Sequence, residues 1–273
     1  MNLAEYNEEL KATFQQNNTE FDMYIYLSEI IKKYGRLEGL SLRNVSNRQL
    51  TERGKIFYGL TSVPDLAILN KRFDNSDNDK GSLINLKDLY GCIEIKIFNN
   101  DNKYKPLYSS INKVFQSFYR IEGVSNDKSK NLIQDNVNTE INQLIGEVLW
   151  YRKVLYTNGI EWKYLELQCK DEEYLREITK VVETEFKIYE KKSKDEKKVL
   201  DKKFVDRLSG YLNWNLSPLT IKEVDLTKNK IEDFDNNCYK HNVHGVERSE
   251  NQMQLTNKEW ECLIDNLGNI EWN

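Results

Sequence analysis

The stretch Tyr90-Gly91-Cys92-Ile93-Glu94-Ile95-Lys96-Ile97-Phe98 decides the fold. Ile93, Ile95 and Ile97 alternate with Glu94 and Lys96, the period of two that a β-strand with one buried face imposes on its side chains. Upstream, Val63-Pro64-Asp65-Leu66-Ala67-Ile68-Leu69 and Lys55-Ile56-Phe57-Tyr58-Gly59 are rich in strand formers. The Asn- and Asp-rich run from Asn70 to Lys80 between them and Tyr90 reads as a loop or excursion. Further upstream, Phe21, Tyr24, Ile25, Leu27, Ile30 and Ile31 recur near helical spacing, with Asn18 and Thr19 as caps and Gly35 as the stop.

Downstream, Lys113 to Ile121 reads as a short helix. Asn138 to Tyr151 reads as a longer one, with Ile141, Leu144, Ile145, Val148 and Leu149 on its apolar face. Thr157-Asn158-Gly159 is a turn signal joining strand Lys153–Tyr156 to strand Glu161–Leu167 as a hairpin. The order α, β, β, β, α, β, β predicts a mixed α/β layer fold. After Asp171 the chain becomes more charged. Asp171 to Glu183 reads helical, Leu219 to Leu226 as one more strand and Asn257 to Leu267 as a closing helix. The organisation expected is a core over residues 1–170 and a charged, mostly helical extension over 171–273. No Pro/Gly-rich linker marks the boundary, so the extension is free to pack on the core.

Chemistry enters with the carboxylates. An E-x-K triplet on a strand sets the Glu94 carboxylate and the Lys96 ammonium on one face, about 6–7 Å apart along the chain. Strand pairing brings Asp65 alongside as a second carboxylate. Two carboxylates a few ångströms apart repel unless a cation lies between them, and oxygen ligands suit Mg²⁺ or Mn²⁺. The Ile95 carbonyl adds a further oxygen while its side chain packs inward. Lys96 is then positioned to orient or help deprotonate a metal-bound water and to offset charge on a pentavalent phosphate. The set suits phosphodiester hydrolysis. E-x-K by itself recurs in so charged a chain, as in Glu161-Trp162-Lys163; Pro64-Asp65 opening an apolar run ahead of it is what gives the pattern its weight.

Pro64-Asp65 followed by Glu94-Ile95-Lys96 resembles the motif of the PD-(D/E)xK nuclease superfamily. Gln143-Leu144-Ile145-Gly146-Glu147 on a helix, then Val154-Leu155-Tyr156-Thr157-Asn158-Gly159-Ile160-Glu161-Trp162, is similar to the N-terminal nuclease domain of type I restriction-enzyme R subunits. The resemblance covers roughly residues 20–168. It implies a restriction-endonuclease-like mixed β-sheet flanked by helices. It also implies Asp65 and Glu94 as metal ligands, Lys96 as the catalytic lysine and Gln143 as the helix glutamine that positions substrate or the lysine. An acidic residue on the first helix often completes such sites, and Glu20 fits best, with Glu29 as the alternative. The chain departs from the pattern at two points: the interval Asn70–Leu89 must be an insertion, and Gln143 is followed four residues later by Glu147, where the Q-xxx-Y variant has tyrosine.

The rest of the inventory excludes other chemistries. His241 and His244 are the only histidines, which rules out a three-His zinc site or an HExxH protease. With 12 glycines there is no GxxxxGK[ST], GxGxxG or GxSxG, so no nucleotide cofactor and no motor segment belongs to this chain. Cys238, His241 and His244, with Cys262 downstream, have an atypical spacing for zinc, and a polar loop is the competing reading. Cys92 and Cys169 read as buried thiols, and Trp150, Tyr151 and Trp162 as core rather than base-stacking platforms.

Charge decides the partner. Lys and Arg total 40 against 44 Asp and Glu, a net of −4, with 31% charged and 39% hydrophobic residues and a mean hydropathy of −0.73. Such a chain is soluble and polar, yet too aromatic for disorder. No apolar run approaches the ~18 residues of a membrane helix, and Met1-Asn2-Leu3-Ala4-Glu5-Tyr6 is no signal peptide, so a cytoplasmic protein without a membrane partner is expected. A net of −4 argues against nucleic acid only as an average. The segment 186–204 has eight lysines and four acids; Lys191, Lys194 and Lys198 along one helix face would follow a phosphate backbone, unless they pair with Glu190, Asp195, Glu196 and Asp201 as a solvated helix. The function expected is a Mg²⁺- or Mn²⁺-dependent DNA endonuclease in restriction, phage defence or repair, as a homodimer if both strands are cut at once. The alternative is a catalytically inactive nuclease-fold protein that binds nucleic acid or another protein.

Overall fold

The computed structural model describes residues 1–16, 19–46, 57, 63–73, 88–97, 99–100, 103–108, 111–117, 139–169, 219–231 and 253–272. The segments expected to hold strand 55–59 (Phe57 apart), the insertion beyond Phe73, Lys191, Lys194, Lys198, Cys238, His241 and His244 lie outside them.

The chain opens with α1 (Leu3–Gln16), which sequence reasoning examined only as a leader; Tyr6, Leu10 and Thr13 are its buried positions, at helical spacing. Helix α2 (Glu20–Tyr34) starts where Thr19 Oγ1 accepts from the Asp22 N–H and ends where the Gly35 N–H donates to Ile31 O. Its buried stripe is Met23, Tyr26, Leu27, Ile30 and Ile31. Phe21 and Ile25, expected inward, are 60% and 74% exposed. Each lies two residues from Met23, about 200° around the helix, and so on its far side.

A six-stranded mixed sheet follows, from β1 (Leu40–Asn44), β2 (Leu66–Asn70), β3 (Leu89–Ile95), β6 (Lys153–Thr157), β7 (Trp162–Cys169) and β8 (Leu219–Asp225), in that spatial order. Only β3 and β6 are parallel. A small antiparallel pair, β4 (Asn99–Asn100) with β5 (Lys103–Tyr104), stands apart. The connection from β3 to β6 includes α3 (Ile111–Ser117) and α4 (Thr139–Tyr151), and the last helix is α5 (Asn257–Asn269). The expected hairpin is formed by β6 and β7, with Gly159 at φ +85° in its turn.

Each sheet face buries its own core. Ile93 and Ile95 pack with Leu155, Trp162 and Val224 against α1, α2 and α5, while Ala67, Cys92, Val154, Tyr156 and Leu165 pack against α3 and α4. The layers are helix, sheet, helix. Trp150, Tyr151 and Trp162 are all core residues, as expected. The described parts of 171–273 join the same body. Strand β8 pairs with β7 from Lys163 to Cys169, and the Trp272 indole donates to Gly35 O. The Trp272 ring lies so close over Gly91 that a Cβ there would stand 2.5 Å from it. No helix among the described residues is long and apolar enough to cross a membrane.

Candidate functional site

Asp65 immediately precedes β2, and the register Leu66↔Ile93 sets it beside the outgoing end of β3. Its Oδ2 accepts from the Ile95 backbone N–H at 2.7 Å, and its Oδ1 accepts from the Tyr24 hydroxyl of α2. Alternation along β3 turns Ile93 and Ile95 toward α2 and leaves Glu94 on the side of α4. That side is not solvated: Glu94 is 2% exposed. Beyond the strand, the Lys96 N–H donates to Thr157 O, prolonging the parallel pairing, and its ammonium donates to Glu94 Oε1.

Helix α4 closes the site. Gln143 Nε2 donates to Glu94 Oε1 at 2.7 Å and to Glu147 Oε1 at 3.1 Å, and Gln143 Oε1 lies 3.5 Å from the Lys96 ammonium. Glu147 is fully buried. Glu94 Oε2 is buried without a hydrogen-bond partner. Glu20, the first residue of α2, faces the same place: its carboxyl feels Lys96 and Asp65 and accepts from the Ile97 backbone. Glu29, the alternative to Glu20, points elsewhere and binds the N-terminal amine of Met1 at 2.8 Å. At the rim, Glu140 accepts from the Tyr156 hydroxyl and from Lys105.

The electrostatics follow from burial. Burial raises the carboxyl pKa of Asp65, against the lowering effect of Tyr24, the Ile95 N–H and Lys96. Burial also raises Glu94 well above the carboxylate range, reinforced by Glu147 and Asp65 and only partly opposed by Lys96. Glu147 is pushed up to about 7, again chiefly by burial. Glu20 is raised by burial as well. Burial depresses Lys96, but Glu94, helped by Glu20 and Glu147, outweighs it, so the ammonium holds its proton far above neutral pH. In this state Lys96 is suited to stabilise negative charge.

Carboxylates are hard donors of the kind Mg²⁺ and Mn²⁺ prefer. Among the described residues, no three or more His, Cys, Asp or Glu side chains are gathered closely enough to hold an ion together. Mg²⁺ commonly takes one or two carboxylates and keeps its waters. Asp65 and Glu94 fit that smaller requirement, and the partnerless Glu94 Oε2 is an oxygen that a cation would satisfy. Ile95 contributes its N–H to Asp65 and its side chain to the core.

Asp65, Glu94, Lys96, Gln143 and Glu20 thus meet at one place from four separate stretches of sequence. Sequence reasoning missed Tyr24 and Glu147 as members. Each lies four residues after a named one, Glu20 and Gln143, on the same helix face. A cavity of about 170 Å³ lined by Arg43, Phe57, Lys71 and Phe73, among others, has none of these residues in its wall. No family model, curated protein or solved structure matches the chain.

Proposed function

We propose that the chain is a Mg²⁺- or Mn²⁺-dependent endonuclease of restriction-endonuclease-like fold, hydrolysing phosphodiester bonds of DNA in the cytoplasm, in restriction, phage defence or repair. The observation that carries this reading is the bonded cluster in which Lys96 and Gln143 both donate to Glu94 while Asp65 is held against Ile95 of the same strand. The mixed sheet with helices on both faces supports it at the level of fold.

A bound divalent ion supplies Lewis acidity at the phosphate and a water of lowered pKa. Asp65 and Glu94 hold that ion. The Ile95 N–H and Tyr24 fix the Asp65 carboxylate, and Gln143 fixes Glu94. Lys96, held in its charged form by Glu94, would offset negative charge developing on a phosphoryl group bound there. Glu20 lies near enough to Lys96 to favour its charged form.

The test is incubation of the protein with plasmid and single-stranded DNA in Mg²⁺ or Mn²⁺, beside Lys96→Ala. Cleavage is expected to fall about 10²-fold or more in the variant, the loss usual for a removed charge stabiliser. Undiminished cleavage in the variant would remove Lys96 from the site. Retention of DNA with neither cleavage nor Mn²⁺ binding in the wild type would favour the inactive, nucleic-acid-binding alternative.

A further inference from the structure

A cavity of about 170 Å³ opens where β1 and β2 pair. Its wall is divided by chemistry. Val45, Leu69, Phe57 and Phe73 make the apolar part, the two phenyl rings meeting at 5.9 Å between centroids and tilted by 49°. Arg43 and Lys71 make the charged part. Both cations are exposed, and neither has an ion-pair partner among the described residues. An apolar pocket with a few convergent polar groups is the usual form of a ligand site.

The register sets this cavity beside the candidate site. Arg43 pairs with Ala67 and Ala67 with Cys92, so all three share a sheet face, and alternation along β3 puts Glu94 on that face too. Asp65 lies two residues before Ala67, about 7 Å along the strand. Its carbonyl accepts from the N–H of Val45, in the cavity wall, at 3.1 Å. Size then narrows the occupant. A cavity of about 150 Å³ holds one benzene ring, so this one suits a single six-membered ring and is small for the fused rings of a purine. A planar ring beside phenyl groups, joined to an anion beside two cations, is a pyrimidine nucleotide. In a duplex that ring is paired and stacked; in a single strand it is free to enter.

We propose that the cavity receives one pyrimidine base of a single DNA strand, with Arg43 and Lys71 on the adjoining phosphates, beside the site at Asp65 and Glu94. The proposal rests on the nuclease reading above and deepens it by naming a single-stranded, pyrimidine-bearing substrate. Every base has a π face to set against an aromatic side chain, so the size of the cavity, and not the stacking, supplies the preference.

Fluorescence anisotropy with end-labelled oligonucleotides of equal length, in chelator so that no strand is cut, tests this apart from cleavage. The full-length protein is expected to bind oligothymidylate about fivefold or more tighter than oligodeoxyadenylate or a duplex, the low end of what one stacked base contributes. Phe73→Leu keeps an apolar side chain without the ring, and its affinity for oligothymidylate is expected to fall about fivefold or more with the salt dependence unchanged. Arg43→Ala, at an exposed position, removes a phosphate contact, and the slope of log K against log salt is expected to shrink by about 0.7. Circular dichroism melts report whether each variant folds, and Arg43→Ala carries the test if Phe73→Leu does not. Equal affinity for the three DNAs, no binding of oligothymidylate in chelator, or affinity and slope unchanged in the folded variants overturns the role of the cavity, and leaves the nuclease reading standing if plasmid is cut in Mg²⁺. Thymidine monophosphate competing as well as the oligonucleotide makes the occupant a free nucleotide and overturns the strand. Absence of both DNA binding and cleavage in the wild type overturns the nuclease reading and this proposal with it.

Discussion

Gln143 Nε2 lies 2.7 Å from Glu94 Oε1, so a helix residue and a strand residue 49 positions apart share one hydrogen bond inside the site. The donor matters because Glu94 is nearly sealed from water and its other oxygen has no partner. Removing it by Gln143→Ala leaves a buried carboxylate further undersatisfied, at about 1–3 kcal/mol. Urea unfolding is expected to show a lower midpoint at unchanged slope, and DNA cleavage to fall further than DNA binding does. Gln143→Glu, which adds a carboxylate where two already repel, is expected to be worse on both counts. An alanine variant as stable as the wild type would show that the bond contributes nothing net.

Tyr24 reaches Asp65 from α2, and its hydrogen bond lowers the Asp65 pKa against the raising effect of burial. Tyr24→Phe removes that lowering influence, so the Asp65 pKa rises further. If cleavage requires ionised Asp65, the acid limb of its pH profile is expected to move to higher pH, with activity near pH 8 little changed. The protein itself should lose about 0.5–1.5 kcal/mol, the net worth of an ordinary hydrogen bond. An unmoved acid limb would mean that a different group governs it.

The parts legible in the sequence were those where pattern and burial coincide. The alternation of Ile93 and Ile95 located β3, and Thr157-Asn158-Gly159 located the hairpin. Helix α4 appears over Thr139–Tyr151, within the span expected. Strand β1 escaped notice because an edge strand of five residues offers only Leu40 and Leu42 as buried alternates. Phe21 and Ile25 misled because apolar identity was counted without its angle around the helix. At the site, Asp65, Glu94 and Lys96 were readable because strand geometry fixes their relation. Glu94 was nevertheless expected on a polar face, whereas α4 covers it. No periodicity announces that a carboxylate is buried: Glu147 looked like a departure from a pattern until the packing set it against Glu94.

The hairpin turn is a structural anchor for the opposite face. Gly159 has φ +85°, and a Cβ there would stand 2.9 Å from Leu10 Cδ2 and 3.0 Å from Met23 Cε. Its carbonyl accepts from both the Tyr6 hydroxyl and the Trp162 indole, tying α1 to the sheet. Gly159→Ala meets left-handed backbone strain of about 1–2 kcal/mol before any crowding is counted. A loss at or above that range is expected by thermal or urea unfolding, with the hydrogen-exchange protection of α1 falling along with it. A neutral substitution would show that the turn relaxes without disturbing α1.

The buried carboxyl of Glu147 makes stability depend on pH. Its pKa is about 7 in the folded protein, raised by burial from an ordinary 4.5, so the folded state holds this proton more tightly than the unfolded chain. Stability without metal is therefore greatest at the acid end of that window and declines as pH rises from about 4.5 to about 7, because folding then confines a charge. Glu147→Gln has no proton to lose there. In chelator at pH 8 the variant is expected to be more stable than wild type by on the order of 1–3 kcal/mol, the gap closing toward pH 4.5. Some slope should persist in the variant, since burial also raises Glu94 and Asp65. Urea midpoints of wild type and variant across pH, in chelator, give the comparison. A variant no more stable than wild type at pH 8 in chelator would mean that Glu147 is not the group ionising in that window.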